Sequence, residues 1–539
     1  MKDEALETDY LVVGAGAAGM AFTDALIMHT DATVTIVDRR HAPGGHWIDV
    51  YPYVRLHQPS AFYGVDSMPL GQDRLDAIGT NAGYHELAGA DEIRAYFAQV
   101  MQGHFLPSGR VRYFPCSDYL GDSRFVSRLA HTAHTVRVRR KLIDTTYLEG
   151  DIPATHAPPF EVAEGVRCLP AGEIVHLREP AERFTVIGAG KAALDACVWL
   201  LERGVPAAAI RWIKPREAWC LNRRFQQPGT LLRDTYRGLA IQLEAMAQAG
   251  SIADCFARFE SAGLFLRVDS GTRPSMFRGA VVSEAELALL RTIKDVVRLG
   301  HVRRIEREQI VLDEGCVPTS AQTVHVHCAS RGLVRRPLRP IFEPGRVIVQ
   351  PFMWTYACYQ FTMLGVAEAT VASDDDKNRL CPSIANVETD RNYLSAFLAG
   401  LANQRARAAY PRLANWAKTS RLNPFGGIER FRDDPGVIDA NERIKHFGAA
   451  AAGNLAMLLR AGYAPQRPSC VPRSNEVDMR QKPFEAAGLQ RLFAQLGTAP
   501  DQFDPPNIRT HLHKASSGSG VSICRCPRRV SVWMPSFRC

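Results

Sequence analysis

At 539 residues the chain can bury two or three cores, and its 46% hydrophobic and 22% charged content is ordinary for a globular protein, which excludes a disordered or fibrous chain. The net charge of +9 does not mark a nucleic-acid binder: Arg509, Lys514, Arg525, Arg528, Arg529 and Arg538 stand without an acid after Pro505, leaving the rest of the chain only weakly positive. No apolar run is long enough to span a membrane, the start MKDEALETDY has no apolar leader, and the 13 cysteines form no CxxC pair, so a cytoplasmic chain with reduced thiols and no metal site is expected.

Residues 9–38, DYLVVGAGAAGMAFTDALIMHTDATVTIVD, predict strand, glycine loop, helix and strand in register. Tyr10 to Val13 reads as a strand buried on both faces. Gly14 permits the tight turn, Gly16 lets a pyrophosphate approach the backbone, and Gly19 lets the helix pack on the strand. The helix N-terminus turns free N–H groups and partial positive charge toward the phosphates. Thr33 to Val37 is the second strand, and Asp38 closes it with Arg39 beside it, at roughly the spacing of a ribose-reading acid.

Further along, DEIRAYFAQVMQ from Asp91 predicts a helix, and residues 110–148 read as short strands, among them a half-exposed basic run, VRVRRK. A second nucleotide unit follows as RFTVIGAGKAALDACVWLLERG, residues 183–204. Gly188, Gly190 and Ala193 take the places of the first three glycines, and the helix ends near Gly204. Where the first unit has Asp38, this one has Lys214 and Arg216, and cations there suit a ribose 2′-phosphate, hence NADPH. Residues 222–299 are rich in helical pattern and predict an insertion, HVRRIEREQIVLDEG predicts a hairpin, and the apolar stretch from Phe447 predicts a buried helix. The last 30 or so residues, with Ser-Gly character and no periodicity, are expected to be partly disordered.

After Asp38 comes HAPGGHWIDVYP, and here the chain resembles the flavin-containing and Baeyer–Villiger monooxygenases, flavoproteins with two dinucleotide folds. Gly44, Gly45 and Trp47 match their Gly-Gly-x-Trp segment, and Lys214, Pro215 and Trp219 echo their basic strand end. The resemblance implies an α/β chain with two Rossmann-like dinucleotide-binding domains and a helical insertion. The FAD domain is discontinuous: residues 1–180 and 331–465 form it, 181–330 bind NADP, and 466–539 extend beyond. It implies FAD on the first fold with Trp47 near the isoalloxazine, Gly365 approaching the flavin, and a small organic substrate with dioxygen as partners. In YVRLHQPSAFY, residues 53–63, His57 or Gln58 would take the place of a flavin-side asparagine, and neutral His57 would also shuttle a proton near pH 7. Two segments depart from the family. Ala329-Ser330-Arg331-Gly332 stands where it carries Ala-Thr-Gly, and Phe160, Gly165 and His176 in the linker are spaced differently. An oxygenating enzyme, a reductase passing electrons to another acceptor, and a non-catalytic flavoprotein therefore all remain open.

Overall fold

The computed structural model describes residues 3–461 except positions 331 and 355; the expected disorder near the C-terminus falls outside the described residues. The first unit is built on a sheet whose strands are β1 (Asp3–Val13), β2 (Val34–Val37), β3 (Val111–Phe114), β4 (Ser117–Gly121), β5 (Arg124–Ser127) and β6 (Ala133–Asp144). β1 lies between β2 and β6, all parallel, and the antiparallel β4 and β5 extend the sheet from β6. Strands Phe342–Glu343 and Arg346–Ile348 complete the other side of β6, so the chain returns to its first sheet after building a second. Helix α1 (Ala17–His29) follows β1, and α2 (Ala90–Val100) covers the loop region behind it. The order β2–β1–β6 places a topological switch point at the carboxyl end of β1, where nucleotides bind in open α/β sheets.

The acidic start of the chain is part of this sheet. β1 and β6 run parallel over their length, and Arg137 and Arg139 pair with Glu7 at 3.2 and 3.1 Å, while Arg139 also reaches Asp9 at 3.0 Å. The basic run of β6 is half exposed, as its alternation predicts, with its cations facing the carboxylates of the neighbouring strand.

The second unit is a five-stranded parallel sheet of Asp295–Val297, Ile210–Ile213, Arg183–Ile187, Thr323–His327 and Cys168–Pro170, in that spatial order. Helix α3 (Lys191–Glu202) follows its central strand, and Gly204, at φ +86°, ends that helix. Residues 302–312 form the expected hairpin.

The helical insertion holds α4 (Leu232–Gln248), α5 (Ile252–Ser261) and α6 (Glu284–Leu290), together with a small sheet of Ala218–Asn222, Phe265–Leu266 and Met276–Val282. It does not close on the second unit alone. The returning chain forms α7 (Ala357–Thr370), α8 (Asp374–Leu380), α9 (Asp390–Ala408), α10 (Pro411–Thr419) and α11 (Pro435–Ala461). Phe256, Phe259 and Phe265 of the insertion share one core with Tyr393 of α9 and with Ile444 and Leu455 of α11. The stretch from Phe447 is therefore the second half of a longer helix that is apolar on one side, with Met457 exposed on the other.

Candidate functional site: two glycine loops and the residues between them

At the first loop, Gly14 has φ +109°, a conformation that disfavours any side chain, and a Cβ there would run into the Thr145 hydroxyl at the end of β6. A Cβ on Gly19 would fall on the carbonyl oxygen of Gly14, so this glycine is what lets α1 pack on the strand end. The loop after β2 lies directly on this turn. Gly44 N–H donates to the Ala15 carbonyl at 2.9 Å, and a Cβ on Gly45 would stand 2.8 Å from the Gly16 Cα. Asp38, 5% exposed, accepts from Ala15 N–H at 2.5 Å and from Arg40 N–H at 2.6 Å. Its carboxylate holds the glycine loop to the end of β2 and keeps lone pairs for a further donor. Arg39 is exposed and pairs with Glu149 at 3.1 Å. Trp47 is buried, and its Nε1–H donates to the Tyr63 hydroxyl at 2.6 Å.

The second loop repeats the geometry with more room. Gly188 has φ +143°, and a Cβ there would press on the backbone of Cys328 at 3.1 Å. A Cβ on Gly190 would meet nothing within 4 Å. Ala193 is fully buried, its methyl accommodated where the first loop needs Gly19.

Helices α7 and α10 start at Tyr356 and Tyr410 without a side-chain cap or a first-turn acid, whereas four others are capped. Ser251, Ser283, Ser373 and Thr389 cap α5, α6, α8 and α9 with their own side chains. Helices α1 and α3 start at Gly16 and Gly190 with no side-chain cap and no acid in the first turn. Their first N–H groups are left to a ligand or to water, and the helix dipoles favour an anion.

A buried tether joins the two loops. Tyr51, just past the Gly-Gly-x-Trp segment, donates its hydroxyl to Asp195 at 2.7 Å, and Asp195 pairs with Lys191 at the first position of α3. Tyr53 stacks on Trp199 of α3 at 4.9 Å and donates to the Ala171 carbonyl at 3.0 Å. Sequence reasoning passed over Tyr51, Lys191 and Asp195. The i, i+4 spacing of Lys191 and Asp195 was readable; the long reach from Tyr51 was not.

Several expected roles are corrected. Lys214 does not face a coenzyme: it is 2% exposed, pairs with Glu217 at 2.7 Å and lies over the Trp212 ring at 4.5 Å. Its strand end turns the side chain inward, and Glu217 also accepts from Val268 N–H at 3.1 Å and faces Arg298 at 3.4 Å. Arg216 is the exposed cation of that segment. Gly365 lies in the middle of α7, where a Cβ would meet the Ala25 Cβ at 2.6 Å and the Phe22 carbonyl at 2.8 Å, so it serves the crossing of α7 over α1 rather than a flavin. His57 accepts a hydrogen bond on Nδ1 from Val281 N–H at 3.2 Å, which places its own proton on Nε2. Burial, with Lys191 and Arg223 nearby, pushes it down to about 3, so it stays neutral and does not shuttle protons near pH 7. Gln58 follows it, half-buried. Nearby, Arg223 is fully buried, paired with Glu286 at 2.8 Å within the insertion, and donates to the Asn81 side-chain oxygen of the first unit at 3.2 Å. No cluster of metal-ligating side chains occurs among the described residues, and none of their helices is long and apolar enough to cross a membrane.

Residues 12–61 match the family model of the NAD(P)-binding Rossmann-like domain, which spans the first loop, Asp38 and the Gly-Gly-x-Trp segment. Uncharacterized proteins of Mycobacterium tuberculosis and Mycobacterium bovis are 44% identical to this chain over 422 residues, 78% of this chain and 78% of theirs. The chain belongs to the family of these mycobacterial proteins. Among solved structures, a mutant flavin monooxygenase from Stenotrophomonas maltophilia is 16% identical, covering 68% of this chain and 100% of that one with a TM-score of 0.41. A cyclohexanone-bound cyclohexanone monooxygenase is 12% identical, covering 68% of this chain and 88% of that one with a TM-score of 0.43. This chain is an α/β chain with a Rossmann-like domain match at residues 12–61, in which a second parallel sheet interrupts the first.

Proposed function

We propose that the chain is an FAD-dependent, NADPH-using oxidoreductase of monooxygenase type acting on a small organic substrate. The observation that carries this reading is the pair of uncapped helix N-termini at Gly16 and Gly190, tied to each other through Tyr51, Asp195 and Lys191. The residues of the first loop fit FAD. Gly16 adds no side chain of its own where a Cβ would lie 3.4 Å from the Gly45 Cα, the first N–H groups of α1 have no side-chain cap, and Asp38 would take the ribose. When bound, FAD would supply acceptance of a hydride from NADPH and onward transfer to dioxygen or another acceptor.

The chain's own residues bind and orient. The first turn of α3 and the Lys191 ammonium would take the coenzyme pyrophosphate, with Asp195 fixing the lysine and Tyr51 fixing Asp195. Exposed Arg216, rather than Lys214, would face the 2′-phosphate. His57, held neutral with its proton on Nε2, would donate a hydrogen bond into the space between the two units without changing charge. The test is direct. Purified protein should be yellow, should bleach with NADPH under anaerobic conditions, and should form oxygenated product when air is admitted. Bleaching followed only by peroxide, or by reduction of an added acceptor, would make it a reductase. Colourless protein that takes up no FAD would sink the reading.

A further inference from the structure

Residues 60–66 form a short turn that is fastened from several directions. Gly64 N–H donates to the Cys358 sulfur in the first turn of α7 at 3.3 Å, and Val65 N–H donates to the Tyr96 hydroxyl of α2 at 2.8 Å. From just beyond α10, the Arg421 guanidinium donates to the carbonyls of Ala61 and Tyr63 at 2.8 Å each, and its Nε–H donates to that of Val65 at 3.1 Å. Asp66 accepts from Trp416 Nε1–H and from the Ser420 hydroxyl, both at 2.9 Å.

The sheet does not need this turn, which contributes no strand to it. What the turn presents is the Tyr63 hydroxyl, the acceptor for Trp47, and the Phe62 ring, which meets Tyr356 at the start of α7 at 4.9 Å. Trp47 sits in the single turn that begins at Gly45, and Gly45 touches Gly16. A continuous line of contacts therefore runs from the first glycine loop through Gly45, Trp47 and Tyr63 to Arg421. An arginine suits its end, because a planar fork can hold several carbonyls at once where a lysine offers a single point charge.

We infer that Arg421 is a positioning residue of the FAD site: by gathering the carbonyls of the 60–66 turn it sets the Tyr63 hydroxyl, and through it Trp47 and the Gly44–Gly45 backbone against the dinucleotide. This rests on the FAD reading above. The experiment measures the FAD dissociation constant by flavin fluorescence, the visible flavin spectrum, and melting of the apoprotein, in the parent and in Arg421→Met, Arg421→Lys and Tyr63→Phe. FAD affinity should fall about tenfold or more in Arg421→Met, as expected for lost charge-assisted hydrogen bonds. Arg421→Lys should lie between Arg421→Met and the parent. Tyr63→Phe should weaken FAD and blur its spectrum while the apoprotein melts close to the parent, which a purely structural role for the turn would not produce. Should Arg421→Met fail to fold, Arg421→Lys and Tyr63→Phe decide. Parental affinity and spectrum in the variants that fold overturn the role of Arg421 alone. A parent that binds no FAD overturns the proposed function itself.

Discussion

Gly190→Val separates ligand binding from folding. Gly190 is the N-cap of α3 with φ −91° and ψ −178°, an extended conformation that any residue adopts. A Cβ there meets nothing within 4 Å, so the folded protein gains no clash. The expected cost to stability is that of a poor N-cap, about 0.5–1 kcal/mol. The isopropyl group would instead occupy the space in front of the open N–H groups of α3. Losing one hydrogen bond to a charged phosphate costs about 1.5–3 kcal/mol, or about ten- to a hundredfold in dissociation constant. Calorimetric titration with NADP+, alongside flavin content and a thermal melt, reads the three quantities separately. Coenzyme affinity should collapse while flavin content stays parental and melting moves by only a few degrees. Unchanged NADP+ affinity would refute the assignment of the second loop, and loss of the fold would refute the reading of its open space.

Gly45→Ala should lower flavin content, because a Cβ at φ +60° stands 2.8 Å from the Gly16 Cα; strain of about 1–2 kcal/mol for the left-handed backbone adds to the clash, and absorbance of the purified protein reports it. Lys214→Met should destabilise by about 1–3 kcal/mol, less than a wholly unpaired buried charge would, because Arg298 still faces Glu217 at 3.4 Å, whereas Arg216→Glu should cut the NADPH over NADH preference with little effect on melting. His57→Leu should keep flavin reduction by NADPH but divert turnover toward peroxide. Because His57 is pushed down to about 3, the parent's coupling ratio should show no inflection from this group between about pH 5 and 8. His104, raised by the Asp24 carboxylate of α1 at 3.5 Å, stabilises most fully below its ordinary value of 6.5 and loses that contribution as pH rises through its folded value. Urea melts of the parent should weaken along that slope, and those of His104→Gln should not.

The two strand–glycine-loop–helix units were legible because their signals are local. Tyr10 to Val13, Gly14, Gly16, Gly19 and Asp38 lie in one continuous strand–helix–strand stretch, and Asp38 closes back on the loop through Ala15 N–H. The cation at Lys214 was read as facing a phosphate, whereas it points inward to Glu217. Sequence spacing does not carry which way a side chain points, and Glu217, three residues on, turns it inward. Gly365 failed for a related reason, since a glycine that a helix crossing needs looks the same in one dimension as one that a ligand needs. Arg421 was invisible because its partners lie about 358 residues away, and the Tyr63 bond to Trp47 because no periodicity links the two. The basic run of β6 carried half its explanation in sequence; the other half, the carboxylates of Glu7 and Asp9, appears only once the two strands are paired.

The aromatic core that the insertion shares with α9 and α11 also bears on how such a chain can be inherited. Phe256, Phe259 and Phe265 are covered by Tyr393, which itself donates to Gln242 of α4 at 2.6 Å. A gene segment encoding the second nucleotide unit with its insertion would carry this apolar face without its cover, and one encoding the returning helices would carry the cover without the face. Neither piece can be exchanged as a cassette. Substitutions in the insertion and in residues 390–461 must be accepted together, so the two stretches are expected to drift as a matched set while the glycine loops stay fixed.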